Sequence, residues 1–275
     1  YDVLGLVRSE ARADQVRALG IEPVLGSLAD EPVLADAAGR ADAVINAANA
    51  EDRGSAEALL RALAGTGKPF IQTSGSSIVA DLAAGKAGDK VYDEETPVDP
   101  LPGRAGRVAI NDMVRAAAET GVRTAIICPT LIYGRGRGLN PNSIQVPWLI
   151  DLARKHGSAR HIGPGENIWS NVHIDDLVDL YVLALSKAPA GAFYYAENGE
   201  NAMREVCEAI NTALGFGEAP ASITIEEAAA EWGEGAANYT MGSNSRVRAV
   251  RARSELGWAP HRPSLLEDIL AASPG

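Results

Sequence analysis

The chain has 275 residues, 46% of them hydrophobic and 22% charged, which is enough to bury a large core. Its net charge of −11 argues against nucleic acid and anionic membrane surfaces as partners, because both need clustered lysine and arginine. No apolar run reaches the roughly 18 residues of a membrane span, and Tyr1-Asp2-Val3-Leu4 lacks the basic and apolar parts of a signal peptide, so a cytoplasmic location is expected.

Strand-like and helix-like segments alternate through the first half, which predicts a parallel sheet with crossover helices. Asp2–Val7 reads as a strand, followed by a helix to Leu19. The next elements are a strand at Ile21–Leu25, a helix at Asp30–Ala38, a buried strand at Asp42–Ala48, a helix at Gly54–Ala64 and a strand at Lys68–Ser74. The Gly/Pro-rich stretch from Gly75 to Gly106 is far longer than an ordinary connection, and loops of that length usually serve function. A helix from Arg107 to Thr120 leads into the apolar strand Arg123–Cys128 and then Pro129-Thr130-Leu131-Ile132-Tyr133-Gly134.

Beyond Gly134 the pattern loosens. Helices are expected at Ser143–His156, at Leu177–Ser186 (capped by Asp175 or Asp176), at Ala202–Leu214, at Arg246–Leu256 and at Leu265–Leu270, with strands at Ala192–Ala196 and Ser222–Ile225. The cysteines, Cys128 and Cys207, fall in an apolar strand and an amphipathic helix and read as reduced packing residues. The four histidines, His156, His161, His173 and His261, share no spacing that gathers a metal, so none is expected.

Helix, apolar strand and Pro-x-x-x-Tyr-Gly together resemble the extended short-chain dehydrogenase/reductases of the NAD-dependent epimerase/dehydratase type. The likeness continues in Gly26-Ser27-Leu28-Ala29-Asp30, in Thr73-Ser74-Gly75-Ser76-Ser77, in Val172-His173-Ile174-Asp175-Asp176-Leu177 and in Glu255-Leu256-Gly257-Trp258. It implies a doubly wound, Rossmann-like α/β fold with a smaller C-terminal substrate lobe. Residues 1–134 would form the dinucleotide-binding domain and 135–275 the lobe, with 172–196 packing back on the first domain.

In that family a Tyr-x-x-x-Lys pair on the helix before the Pro-x-x-x-Tyr-Gly strand supplies acid/base chemistry. Here no tyrosine lies between Tyr92 and Tyr133, and no lysine between Lys90 and Lys155. Pro102 or Gly103 takes the tyrosine slot and Gly106 or Arg107 the lysine slot. The resemblance is therefore to an atypical member.

An acid at the end of the first strand selects NAD, whereas arginine accommodates the 2′-phosphate of NADP. The chain has Arg8, Ser9 and Arg12 there, so NADP is expected over NAD. By resemblance Ser27 and Leu28 face the adenine, and Ala47, Ala48 and Asn49 let backbone approach the cofactor. Pro129 and Ile132 complete the cofactor set. Ser74 and Ser76 are the hydroxyls expected to polarise a substrate oxygen, Arg107 to supply charge, and Tyr92 to fold over the site as a phenol from the long loop. Arg246 could face an anionic substrate, although a helix-start arginine reads the same way.

The glycine turn that cradles pyrophosphate precedes the strand read at Asp2–Val7 in this fold, so residues upstream are expected to carry it. The leading expectation is an NADP-dependent oxidoreductase or epimerase-like enzyme acting on a small carbonyl or alcohol. A non-catalytic NADP-binding sensor and a fragment that binds no nucleotide are the alternatives. A homodimer through Gly54–Ala64 and Arg107–Thr120 is possible for this fold.

Overall fold

The computed structural model describes residues 1–271. In chain order, β1 (Leu4–Val7), α1 (Glu10–Arg17), β2 (Glu22–Leu25), α2 (Glu31–Arg40), β3 (Val44–Asn46), α3 (Arg53–Leu63) and β4 (Pro69–Thr73) alternate as the sequence pattern predicts. Each of these helices starts on a side-chain cap. Ser9, Asp30 and Asp52 accept the backbone N–H groups of Arg12, Val33 and Ser55, which an unfinished first turn leaves free.

The parallel order β3-β4-β5-β9 forms one sheet, with β5 at Arg123–Pro129 and β9 at Ala192–Ala196. β1 and β2 form a separate parallel pair, and no ladder joins β1 to β3 among the described residues. The pair is held to the larger sheet through α2 on α3. Arg61 reaches Glu31 at 2.8 Å, and the Lys68 ammonium donates to the Gly39 carbonyl at 2.9 Å.

α4 spans Pro102–Ala116, five residues ahead of the expected start, and ends in a tighter turn at Ala117–Thr120. Pro102 sits in its first turn, where a missing N–H costs nothing. β6 (Leu131–Tyr133) leaves the main sheet to pair with β8 (Ile168–His173), which also takes β10 (Glu200–Ala202) on its other edge. α5 is Gln145–His156, and β7 (Arg160–Ile162) pairs with β11 (Ala221–Ile223). α6 covers Ile174–Lys187 and α7 Met203–Leu214. α8 (Ile225–Trp232), α9 (Glu234–Ala236), a π-turn at Ala237–Met241, α10 (Val250–Leu256) and α11 (Leu265–Ala271) follow.

Buried side chains gather into two clusters. One fills the space around β4, β5 and β9 and takes in Leu177, Leu180 and Ala184 of α6 together with Trp258. The other joins α5, α7 and α11 to Tyr133, Trp169 and Met241. Segment 174–196 therefore sits with the first cluster although it follows the first strands of the second.

α6 is capped differently from the expectation. His173 is the cap, its Nδ1 accepting the Asp175 N–H at 3.1 Å, while Asp175 and Asp176 lie inside the first turn. The Asp176 carboxylate is turned instead to the His261 and Arg262 N–H groups, at 3.1 and 3.0 Å. No helix among the described residues is long and apolar enough to cross a membrane.

Candidate active site

The carboxyl ends of β1, β2, β3 and β4 carry Arg8, Ser27, Ala47 and Ser74, the edge at which open parallel sheets bind ligands. Arg8, Ser9 and Arg12 are exposed. The Arg12 guanidinium donates to Gln15 at 3.1 Å, and neither arginine is ion-paired among the described residues. Ser27 closes its own turn by accepting the Ala29 N–H at 3.3 Å, with Leu28 beside it half-buried. Ala47, Ala48 and Asn49 are exposed at the end of β3, and Asn49 accepts the Glu51 N–H at 3.0 Å. Pro129 ends β5 against Ala196, and Ile132 packs on the first core.

Around β4 the structure separates the hydroxyls. Asn111 on α4 donates to the Ser74 hydroxyl at 3.0 Å, with Cys128 behind it, whose thiol is pushed up to about 12 by burial. Ser76 is buried against the Ser245 hydroxyl at 2.8 Å, so it ties the strand end to the segment before α10. The hydroxyl that meets the charged groups belongs to Ser77, which sequence reading passed over. Arg107 donates to it at 3.0 Å and to the Glu51 carboxylate at 2.6 Å.

Arg104, one turn before Arg107, reaches the same Glu51 oxygen at 3.4 Å and lays its guanidinium over the Tyr239 ring, 4.7 Å from the centroid. Ser77, Arg107, Glu51, Arg104 and Tyr239 thus form one connected polar group. Burial, with Arg107 alongside, pulls the Arg104 pKa below its ordinary value. Both arginine side chains are about one-seventh exposed (14% and 16%), and the position is electrostatically awkward, since two cations stand at the positive end of a helix.

Two glycines make the arrangement possible by close approach. A Cβ at residue 75 would stand 2.9 Å from the Arg107 guanidinium, and one at residue 103 would stand 2.8 Å from the Tyr239 phenol oxygen.

Arg104 Nε, Arg107 Nε and Asn111 Oδ1 are buried with no hydrogen-bond partner. Buried polar atoms are nearly always satisfied, so three orphans together at a ligand-binding edge fit a site completed by a polar ligand. The unpaired Arg8 and Arg12 and the small residues at the end of β3 fit a dinucleotide phosphate in the same way.

Tyr133, Tyr181 and Tyr92 are committed elsewhere. Tyr133 donates to the Pro263 carbonyl at 2.7 Å, and burial raises its pKa. Tyr181 shares a hydrogen bond with Thr73 at 2.6 Å, and burial lifts its phenol to about 12. Tyr92 is buried in the first core with the Lys90 ammonium 4.4 Å from its ring centroid. The long loop does not fold over the site as a free cover. The Tyr92 backbone bridges Arg246 and Arg248, and Glu94 accepts from Tyr195, Val250 and Arg251.

Arg246 is paired with Glu200 at 2.7 Å, a carboxylate that it shares with Arg248 at 3.0 Å. Asp176, Asp179 and His261 bring ligand-type atoms within 4.8 Å of one another, but both Asp176 oxygens already accept backbone N–H groups.

Residues 1–195 match the NAD dependent epimerase/dehydratase family. An oxidase, ucsJ, from Acremonium sp is 31% identical, the alignment covering 98% of this chain and 88% of the relative. A 4-hydroxy-2-methyl-3-oxo-4-farnesyl-3,4-dihydroquinoline-1-oxide ketoreductase from Stigmatella aurantiaca is 25% identical over 94% of this chain and 84% of its own length. Among solved structures, dTDP-glucose 4,6-dehydratase from Bacillus anthracis in complex with NAD superposes with a TM-score of 0.76, at 17% identity, over 98% of this chain and 87% of that one.

Proposed function

The chain belongs to the NAD dependent epimerase/dehydratase family and is an NAD(P)-dependent enzyme, and from that premise we propose that it reduces small carbonyl compounds with NADPH. The observation that carries this reading is the connected group Ser77–Arg107–Glu51 with its orphaned N–H donors at the carboxyl edge of the sheet. Relatives named as an oxidase and a ketoreductase support redox chemistry at a carbon–oxygen centre.

Arg8 and Arg12 would hold the 2′-phosphate, Ser9 the ribose beside it, and Ser27 and Leu28 the adenine side. Ala47, Ala48 and Asn49 would lie along the dinucleotide, and Arg107 at the nicotinamide ribose. The dinucleotide, when bound, supplies the hydride.

The protein's own groups do the rest. Arg107 and Arg104 would set a positive potential where negative charge grows on the substrate oxygen, and such preorganised charge is usually the largest single contribution to lowering a barrier. Ser77, held by Arg107, would hydrogen-bond that oxygen through its hydroxyl and keep its proton. The guanidiniums stay protonated and cannot themselves give up a proton near neutrality.

The test is a fluorescence titration of the full-length protein with NADPH and NADH, followed by turnover with aldehydes, ketones and sugar nucleotides. Tighter NADPH binding and steady oxidation with a carbonyl substrate are expected. Preference for NADH overturns the cofactor assignment, and tight binding without turnover returns the non-catalytic sensor.

A further inference from the structure

We propose that Tyr239, delivered by the π-turn before α10, is the proton donor of this enzyme. The inference rests on the reductase reading above and names the group that reading leaves open. Carbonyl reduction ends with a proton on oxygen, and general acids for that step are side chains that can lose a proton near working pH. Arg104 and Arg107 cannot, and the Glu51 carboxylate already accepts from both. Ser74 and Ser76 are held by Asn111 and Ser245. Tyr133 and Tyr181 have partners, and Tyr92 is packed in the core.

Tyr239 is half-buried, and its phenol oxygen has no hydrogen-bond partner among the described residues. It lies against Gly103, four residues and about one helical turn before Arg107, so phenol and guanidinium share one face of α4. The positive end of α4 and the Arg104 guanidinium over the ring place positive charge beside the Tyr239 phenol. π-turns inside helices are found disproportionately at functional sites, and this one turns the Tyr239 side chain toward α4.

The step balances. The carbonyl carbon accepts a hydride from the reduced dinucleotide, the C–O π pair moves onto oxygen, and that oxygen takes the proton from Tyr239 Oη. The resulting phenolate is reprotonated by water, so one carbonyl and one proton give one alcohol per cofactor oxidised.

Two variants of the full-length protein test this. Tyr239→Phe removes only the hydroxyl. Gly103→Ala leaves Tyr239 in the sequence but places a methyl where its phenol lies, and the ring's free end can move aside. Alanine also suits a helical turn better than glycine, so Gly103→Ala keeps the test open if Tyr239→Phe folds poorly.

Measured with NADPH and the best substrate of the panel, both variants are expected to lower kcat by about 10²- to 10⁴-fold. NADPH affinity, read by fluorescence, should stay within about threefold, which separates lost proton transfer from lost binding. Turnover with Tyr239→Phe within about threefold of wild type overturns the inference and leaves the reductase reading standing. NADPH binding with no turnover by the wild type overturns both.

Discussion

Asp176 offers the sharpest test of how the two cores are joined. Its side chain is fully buried, with one oxygen accepting the His261 N–H at 3.1 Å and the other the Arg262 N–H at 3.0 Å. Its own carbonyl accepts the Trp258 indole N–H at 2.8 Å, so a single residue at the start of α6 fixes the crossing of the chain from α10 toward α11. Asp176→Ala leaves two backbone donors without acceptors. At about 1–3 kcal/mol for each unsatisfied buried group, and with part of that recovered by water near the exposed His261, the loss should be about 3 kcal/mol. Asp176→Asn keeps one acceptor and sets an amide N–H₂ against the other donor, so about 2 kcal/mol is expected.

For a chain of this size about 3 kcal/mol corresponds to a fall in melting temperature of about 6–12 °C, readable by thermal denaturation and by urea midpoints at constant slope. The rival account of the same residues is a cation held by Asp176, Asp179 and His261. On the capping account, prior treatment with EDTA leaves the wild-type midpoint unchanged. A midpoint that drops with EDTA, or a loss below about 1 kcal/mol for Asp176→Ala, would refute the reasoning.

Three further outcomes follow from the geometry. Arg107→Met removes the contacts to Ser77 and Glu51 and should weaken NADPH binding about tenfold, with Arg107→Lys restoring only part; an unchanged titration would place the cofactor elsewhere. Replacing Arg8 and Arg12 together by glutamate should weaken NADPH binding by about tenfold or more and leave NADH within about twofold, because only the 2′-phosphate is repelled. Glu200 is held down to about 2 by Arg246 and then Arg248, below its ordinary 4.5, so its contribution is present above about pH 4.5 and is lost as the pH falls toward 2. With a quarter of the side chain exposed and screened, Glu200→Gln should cost about 1–2 kcal/mol at pH 7, and the gap in urea midpoint should narrow below about pH 4.5 and close only below about pH 2.

Much of the fold was legible because the first half of the chain repeats one physical pattern, a short apolar strand followed by a capped helix. In the structure those helices are capped by Ser9, Asp30 and Asp52. The start of α4 was not legible. Pro102, Gly103 and Gly106 argue for a loop by propensity, and no side chain caps the helix. Tertiary packing of Ile110, Asn111 and Val114 overrides that local preference. Strands β6, β7, β8 and β10 are mostly three residues long, too short for an alternating pattern to show, and pairing across distant segments creates them.

The candidate site divides along the same line. Ser77 sits in the hydroxyl run that drew attention to Ser74 and Ser76, and only the rotation of the turn at Ser76–Val79 decides which hydroxyl faces Arg107. Glu51 was hidden for the same reason as the start of α4, because only the extended helix brings Arg104 and Arg107 together on it. Nothing local marks Tyr239, which lies more than a hundred residues from α4 and reaches it only through the packing of the second core on the first.

The absence of a tyrosine between Tyr92 and Tyr133 therefore does not amount to an absence of phenol at the site. A side chain at residue 103 would occupy the volume that the Tyr239 ring fills, so a glycine there and a tyrosine on the π-turn are two halves of one arrangement. Arg104 extends the same logic. It is largely buried at the positive end of α4, where a cation is least favourable, and it is held there by Glu51 and by the ring face of Tyr239. Arg104 and Arg107 stand side by side on one carboxylate, Glu51, so the group carries net positive charge. A site that develops negative charge on a substrate oxygen and on a phenol gains from both.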